Sequence, residues 1–182
     1  MLQYSVHPAP RFIRTHLNRL LPSWSLPVLS VVVVLQLCQF AFLERTVETE
    51  IYKNEFRQQF LEFGSQVVAQ LGTMGYLADM FDPRTGFPMA SPPGQVRLSD
   101  VKVVGATLGY TIDRSGQCAA IVHPIWGKAV YPSTIVSSAR ADVVEEVVAR
   151  VAATSTYLTI QPEAGSSDPT IEGQSFPDIK PI

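Results

Sequence analysis

Apolar residues fall in blocks along this chain, and the spacing within each block predicts the element it forms. Val28-Leu29-Ser30-Val31-Val32-Val33-Val34-Leu35 is nearly continuous, β-branched and preceded by Pro27, the pattern of a strand buried on both faces. Upstream, Gln3–Val6 predicts a short strand closed by His7-Pro8-Ala9-Pro10. Pro10 then opens a helix, because its missing N–H is no loss in a first turn. On that helix Phe12, Ile13, Leu17, Leu20 and Leu21 share one face, and Arg11, Arg14 and Arg19 lie largely on the other as solvated charges. Phe56, Phe60, Phe63, Val67 and Leu71 recur at helical spacing and mark the strongest helix of the chain, with Gly72 and Gly75 at its end. Such a phenylalanine stripe could meet a planar cofactor; packing against a sheet is the expectation.

Further on, Tyr76–Gly86 reads as a strand entering a reverse turn, with Asp82 at its first position and Pro83 at its second. Ser91-Pro92-Pro93-Gly94 is a loop. Two strands are expected, at Val101–Ile112 and Ala119–His123, flanking a hairpin turn at Asp113-Arg114-Ser115-Gly116. Lys128–Val136 is extended. Ser137 or Ser138 would cap a last helix whose apolar face is Val143, Val144, Val147, Val148 and Val151. Helices alternating with extended runs predict one α+β domain, a mixed sheet with flanking helices. Its expected limits are residues 28–153, with a strand and helix extension at 1–27 and a flexible or surface-laid tail at 154–182.

Composition narrows the classes. Charged residues are 16% of the 182 and apolar ones 46%, against about 25% charged in an ordinary globular chain, so a large core is expected. A net charge of −2 speaks against a nucleic-acid partner, which selects a basic face. The uncharged run Leu20–Leu43 is long enough to raise a membrane span. Pro22, Pro27, Gln36 and Gln39 within it, and its β-branched centre, favour a buried strand and no membrane. Cysteine usage fits a reducing, cytoplasmic setting. The basic start, Arg11, Arg14 and Arg19 before the first acid at Glu44, leaves organelle targeting as the alternative, though no small-residue cleavage pattern follows.

Chemistry is sparse. There is no Walker loop, no Gly-x-Gly-x-x-Gly, no Gly-x-Ser-x-Gly and no His-Glu-x-x-His. His7, His16 and His123 are too dispersed for a zinc spacing. Cys38 lies in the apolar run and reads as a small buried hydrophobe, whereas Cys118 follows the turn-like Ser115-Gly116-Gln117 and is the thiol expected outside. Cys118 with His123 could form an activated thiolate oriented by Asp79, Asp82 or Asp113. Five residues apart on an alternating strand they face opposite ways, so His123 is expected instead as a hydrogen-bonded imidazole at a strand end before Pro124. Asp79 and Asp82 are expected to stabilise turns. As a soft ligand, one thiolate could still supply an axial bond to a metal already held in a macrocycle.

Four blocks carry a resemblance: Gly75-Tyr76-Leu77-Ala78-Asp79-Met80-Phe81-Asp82-Pro83-Arg84-Thr85-Gly86, Leu108-Gly109-Tyr110-Thr111-Ile112-Asp113, Gly116-Gln117-Cys118 and His123-Pro124-Ile125-Trp126-Gly127. Together with the valine strand and phenylalanine helix, they make residues from about Val28 to Val151 resemble the methylmalonic aciduria and homocystinuria type D protein family. The resemblance implies a nitroreductase-like α+β fold that has lost flavin binding and enzyme activity. It implies an adaptor that receives cobalamin from a cobalamin-processing protein and helps route it to cobalamin-dependent enzymes. Animal members place a cysteine pair after the glycine of the Gly116 block, and one thiolate can coordinate cobalt; this chain has Gln117-Cys118 there. The implied cofactor-facing residues are Gly116, Gln117, Cys118, His123 and Trp126, with Cys118 the cobalt ligand. The Asp-x-His-x-x-Gly motif of cobalamin-dependent mutases and methionine synthases is absent. Two rival classes stand beside this: a flavin-type oxidoreductase on the same fold, for which no basic phosphate-binding cluster stands out, and a membrane-anchored interaction protein using Leu20–Leu43.

Overall fold

The computed structural model describes residues 1–38, 41, 46–116 and 119–154, and the backbone of 160–162. In chain order the elements are β1 (Leu2–Pro8), α1 (Arg11–Thr15), α2 (Leu17–Leu20), β2 (Ser30–Leu37), α3 (Val47–Thr73), β3 (Ala78–Phe81), α4 (Asp100–Thr107), β4 (Thr111–Asp113), β5 (Ala120–Val122), β6 (Val130–Ser137), α5 (Ala141–Thr154) and β7 (Ile160–Pro162). Five strands form one sheet in the order β3-β6-β2-β1-β7, and β4 with β5 forms a separate hairpin. All pairings of the larger sheet are antiparallel except β1 with β7. It is a mixed α and β fold, as expected.

The valine run is the middle strand, paired with β1 from Leu2↔Gln36 to Pro8↔Ser30 and with β6 from Ser30↔Ser137 to Leu37↔Val130. Alternate side chains leave opposite faces. Val31, Val33 and Leu35 join a core layer with Ile13, Leu20, Leu21, Val103 and Val104. Val32 and Val34 join the opposite layer with Phe60, Phe63, Val67 and Leu71 of α3 and Val144, Val147, Val148 and Val151 of α5. Both faces are covered, so the run needs no polar alternation. The phenylalanine stripe therefore packs in a core. Residues 1–27 supply an inner strand and two short helices to this same body. Residues 155–159 and 163–182 of the expected tail lie outside the described residues.

Three sequence expectations are corrected. Val101–Ile112 is not a strand: Ser99 caps a helix by accepting the Lys102 N–H at 3.4 Å, and α4 runs to Thr107 before only Thr111–Asp113 becomes extended. The β-branched composition favoured a strand, but the cap and the burial of Val103 and Val104 in the core layer, with α4 lying against β6, override it. The single N-terminal helix is two, because His16 leaves helical geometry (φ −110°, ψ 17°) while its Nδ1 bonds the Phe12 carbonyl at 2.8 Å. Ser137 and Ser138 cap nothing. Ser137 Oγ donates to the Leu77 carbonyl at 3.0 Å, and Ser138 Oγ accepts the Leu77 N–H at 3.0 Å. They bind the entry of β3 to β6, and α5 starts beyond them.

β3 is an edge strand, and its outer side is covered by the segment that follows the Asp-Pro turn. Asp82 N–H donates to the Phe87 carbonyl at 2.8 Å and Met89 N–H to the Met80 carbonyl at 2.9 Å. Asp79 locks that strap. Fully buried, its Oδ1 accepts the N–H groups of Met80, Met89 and Ala90 at 2.8, 3.1 and 2.9 Å, and its Oδ2 accepts that of Ser91 at 2.7 Å. A strand edge is thus satisfied within the molecule. Asp79→Ala strands the Met80, Ala90 and Ser91 amides, while Met89 keeps the Met80 carbonyl; each stranded donor costs about 1–3 kcal/mol if it stays dry. We expect a loss of about 3–5 kcal/mol in chemical denaturation, and a smaller one for Asp79→Asn, which keeps an acceptor oxygen.

Candidate functional site

The β4–β5 hairpin carries the residues singled out by sequence. Leu108 ends α4 through its N–H to the Val104 carbonyl, and Gly109 (φ +70°) turns the chain outward into Tyr110 and β4. The register is Thr111↔Val122, Ile112↔Ile121 and Asp113↔Ala120. Gly116 and Ala119 are both exposed at the Asp113–Ala120 end. Gln117 and Cys118, between them, lie outside the described residues. Asp113 closes this end: its carboxylate accepts the Ser115 N–H at 2.8 Å and the Ser115 hydroxyl at 2.9 Å, and pairs with Lys128. The Lys128 bond, with those from Ser115, holds its carboxyl far below the usual range.

His123 and Trp126 occupy the other end. His123 follows β5, three residues and roughly 10 Å of strand beyond Ala120. A tight turn closes between its own N–H and the Gly127 carbonyl (2.7 Å) and back (2.9 Å). Gly127 has φ +57°, the left-handed position that such a three-residue loop requires. The buried His123 ring completes the turn from inside, its Nδ1 accepting the N–H groups of Ile125 and Trp126, both at 3.1 Å. A nitrogen accepting twice carries no proton, so the imidazole is neutral with hydrogen on Nε2. Trp126 stacks on it at 4.4 Å and Tyr110 meets its edge at 5.3 Å. The structure thus brings His123, Trp126, Gly127 and Tyr110 together and sets them apart from Gly116. Ile125, at the tip, is 82% exposed.

Among the described residues, neither aspartate of the Asp-x-x-Asp-Pro block bonds to this hairpin. Asp79 is spent on the strap, while Asp82 accepts Arg57 of α3 in a forked pair (Nε to Oδ1 2.7 Å, Nη2 to Oδ2 3.2 Å), plus the Arg84 N–H and Thr85 hydroxyl. Burial opposes the charge on Asp82, but the Arg57 and Arg84 bonds outweigh it and keep its carboxyl below the ordinary range. Sequence reasoning missed Arg57 and also Asp100, which accepts the Thr134 hydroxyl at 2.6 Å. Both partnerships span different elements, and no periodic signal encodes them. Cys38 is buried, with Sγ toward the Gln36 carbonyl at 3.4 Å, and burial pushes its thiol up to about 12. Among the described residues no three His, Cys, Asp or Glu side chains converge as a metal site, and no helix is long and apolar enough to cross a membrane.

Two outcomes are expected. His123→Phe keeps the stack but removes the acceptor and should cost about 1–3 kcal/mol with a change in Trp126 fluorescence. His123→Asn, whose carbonyl can accept the same two amides, should recover part of it. For Asp82 the folded carboxyl ionises below its unfolded value, so its contribution is present above the ordinary carboxylate range and lost as pH falls through the depressed value. Arg57→Met leaves burial opposed only by the Arg84 N–H and the Thr85 hydroxyl. The acid-unfolding midpoint should move to higher pH, with a loss of about 1–3 kcal/mol at pH 7, since Arg57 is partly exposed.

Similarity to known proteins covers this architecture from β1 into α5. The family model described as Methylmalonic aciduria and homocystinuria type D protein matches residues 1–150, including the N-terminal strand and helices. The proteins named "Cobalamin trafficking protein CblD" from Rattus norvegicus and Homo sapiens are each 24% identical to this chain over 141 residues, 78% of this chain and 48% of theirs. The Gallus gallus protein of that name is 23% identical over the same lengths. The chain thus spans about half the length of the curated relatives it matches.

Proposed function

Because the chain belongs to the methylmalonic aciduria and homocystinuria type D protein family, we propose that it is a non-enzymatic adaptor in cobalamin trafficking. The supporting observation is that the match runs through the whole β4–β5 hairpin, in a chain whose relatives are named as cobalamin trafficking proteins. The fold is read as nitroreductase-like without its flavin. In this reading a cobalamin-processing protein hands over its cargo and cobalamin-dependent enzymes receive it, in the cytoplasm, by protein contact with neither nucleic acid nor membrane involved.

Cobalamin is cargo here, and Cys118 is the residue proposed to meet its cobalt. Thiolate supply supports that choice. Burial pushes the Cys38 thiol up to about 12, so it is a poor source of thiolate, and the same burial keeps a corrin away. Cys118 sits between exposed Gly116 and Ala119. Gly116 and Gln117 would flank the ligand. His123 and Trp126 would act at a distance, fixing the opposite end of the hairpin so that the two strands present the loop at a constant angle.

Cob(II)alamin added to the purified chain, alone and together with a cobalamin-loaded processing protein, tests this. Ligation by Cys118 shifts the corrin absorbance in the wild type, and Cys118→Ser abolishes the shift while leaving Cys38 in place. No shift in either mixture defeats cobalt ligation, and no co-elution with the loaded processing protein defeats the adaptor role.

A further inference from the structure

The two layers that flank the larger sheet carry opposite charge. Residues 1–38 contain no Asp or Glu, and residues 83–112 contain only Asp100, which is half-buried and accepts the Thr134 hydroxyl. These two stretches supply the layer of α1, α2, the strap and α4. Arg11, Arg14, Arg19, Arg97 and Lys102 of that layer are all exposed, and among the described residues none of the five has a carboxylate partner. The layer of α3 and α5 is the reverse. Lys53, Arg57, Arg140 and Arg150, on or beside those helices, each pair with an acid, while Glu48, Glu55, Glu62 and Glu145 are exposed with no cation.

The basic layer is one connected surface. The Arg19 carbonyl accepts the N–H groups of Gln95 and Val96 at 2.7 and 3.1 Å, and Trp24 Nε1 donates to Ser91 Oγ at 2.9 Å, so α2 and the strap are bolted together. The Arg97 guanidinium lies 5.2 Å from the centre of the Phe87 ring, which holds it in place. Ile121 of β5 belongs to the same core layer, and Tyr110 and Trp126 pack against it, so the surface continues into the hairpin.

Unpaired like charges on one face repel each other and do nothing for the fold; what they favour is an anionic partner. We propose that this layer is the docking surface for a protein that presents acidic side chains, namely the cobalamin-processing protein, an assignment that rests on the adaptor reading. Four of the five cations are arginines, the cation enriched in protein interfaces, where lysine is depleted. The apolar sides of α1 and α2 are spent on the core through Ile13 and Leu20, so neither helix offers a face to a bilayer. The net charge of −2 is unlike that of a nucleic-acid-binding domain. A second copy fits no better, because the acidic layer lies across the sheet from the basic one and self-association would run head to tail without closing. A partner seated on the basic layer lies beside the β4–β5 hairpin.

Binding kinetics between the full chain and the cobalamin-loaded processing protein, at about 50 and about 300 mM salt, test the assignment. The wild type should associate more slowly at the higher salt. A variant carrying Arg11→Glu, Arg97→Glu and Lys102→Glu should bind about tenfold more weakly or worse, mainly through slower association. One carrying Glu55→Lys, Glu62→Lys and Glu145→Lys should lose nothing. Should the first variant fail to fold, Arg11→Gln, Arg97→Gln and Lys102→Gln together should still weaken binding several-fold and flatten its salt dependence. Wild-type affinity in a folded basic-layer variant overturns the proposal and leaves the adaptor reading standing, whereas no binding by the wild type overturns both. Vesicles of about one-third phosphatidylserine and duplex DNA are the other arms. If either holds the wild type more tightly than the processing protein does, the surface belongs to phosphate groups and the proposal falls.

Discussion

Everything in this molecule is arranged around the double pairing of β2. One eight-residue strand gives its backbone to β1 on one side and β6 on the other, and its side chains to two separate core layers. A strand used on both edges and both faces can carry almost no polar side chain. Where Gln36 enters, its Nε2 must find Gln59 of α3 at 3.1 Å. The helices follow from the same constraint. α3 and α5 cover Val32 and Val34, while α1, α2 and α4 cover Val31, Val33 and Leu35.

The most distinctive residue blocks turn out to be joinery. In the Asp-x-x-Asp-Pro-x-x-Gly block one carboxylate gathers four amides and the other grips a helix, and Gly86 (φ +72°) packs where a Cβ would lie 2.6 Å from the Leu98 carbonyl. In the His-Pro-Ile-Trp-Gly block the imidazole acts as an acceptor for two amides of its own turn. Charged and aromatic residues in a motif invite a catalytic reading. Here Asp79 and His123 Nδ1 are engaged by backbone amides and Asp82 by Arg57, so these groups hold the strap, the turn and the helix in place.

Legibility in the sequence followed from where each stabilising term resides. The valine strand, the phenylalanine helix, the valine face of α5 and the Asp82-Pro83 turn are local patterns, and each lies where its spacing put it. α4 was illegible because Val101, Val103 and Val104 suit a strand as well as a helix face; the Ser99 cap and the packing against β6 decide. Arg57 with Asp82 and Thr134 with Asp100 lie 25 and 34 residues apart, separations at which only the fold creates a neighbour. The candidate site divides the same way. Its turn at His123 could be expected from Pro124 and Gly127, whereas the role of Cys118 came from family likeness alone.

The order in which the strands are made has its own consequence. β1 and β2 leave the ribosome together, but the residues of β6 that complete the ladder emerge roughly a hundred positions later. Throughout that interval a valine-rich edge has no partner in the nascent chain, and such an edge is an aggregation template. Synthesis of this protein therefore contains a vulnerable window, whose length is set by α3, the strap and the hairpin lying between the two halves of one ladder. Chaperone demand should be concentrated there rather than on the finished molecule.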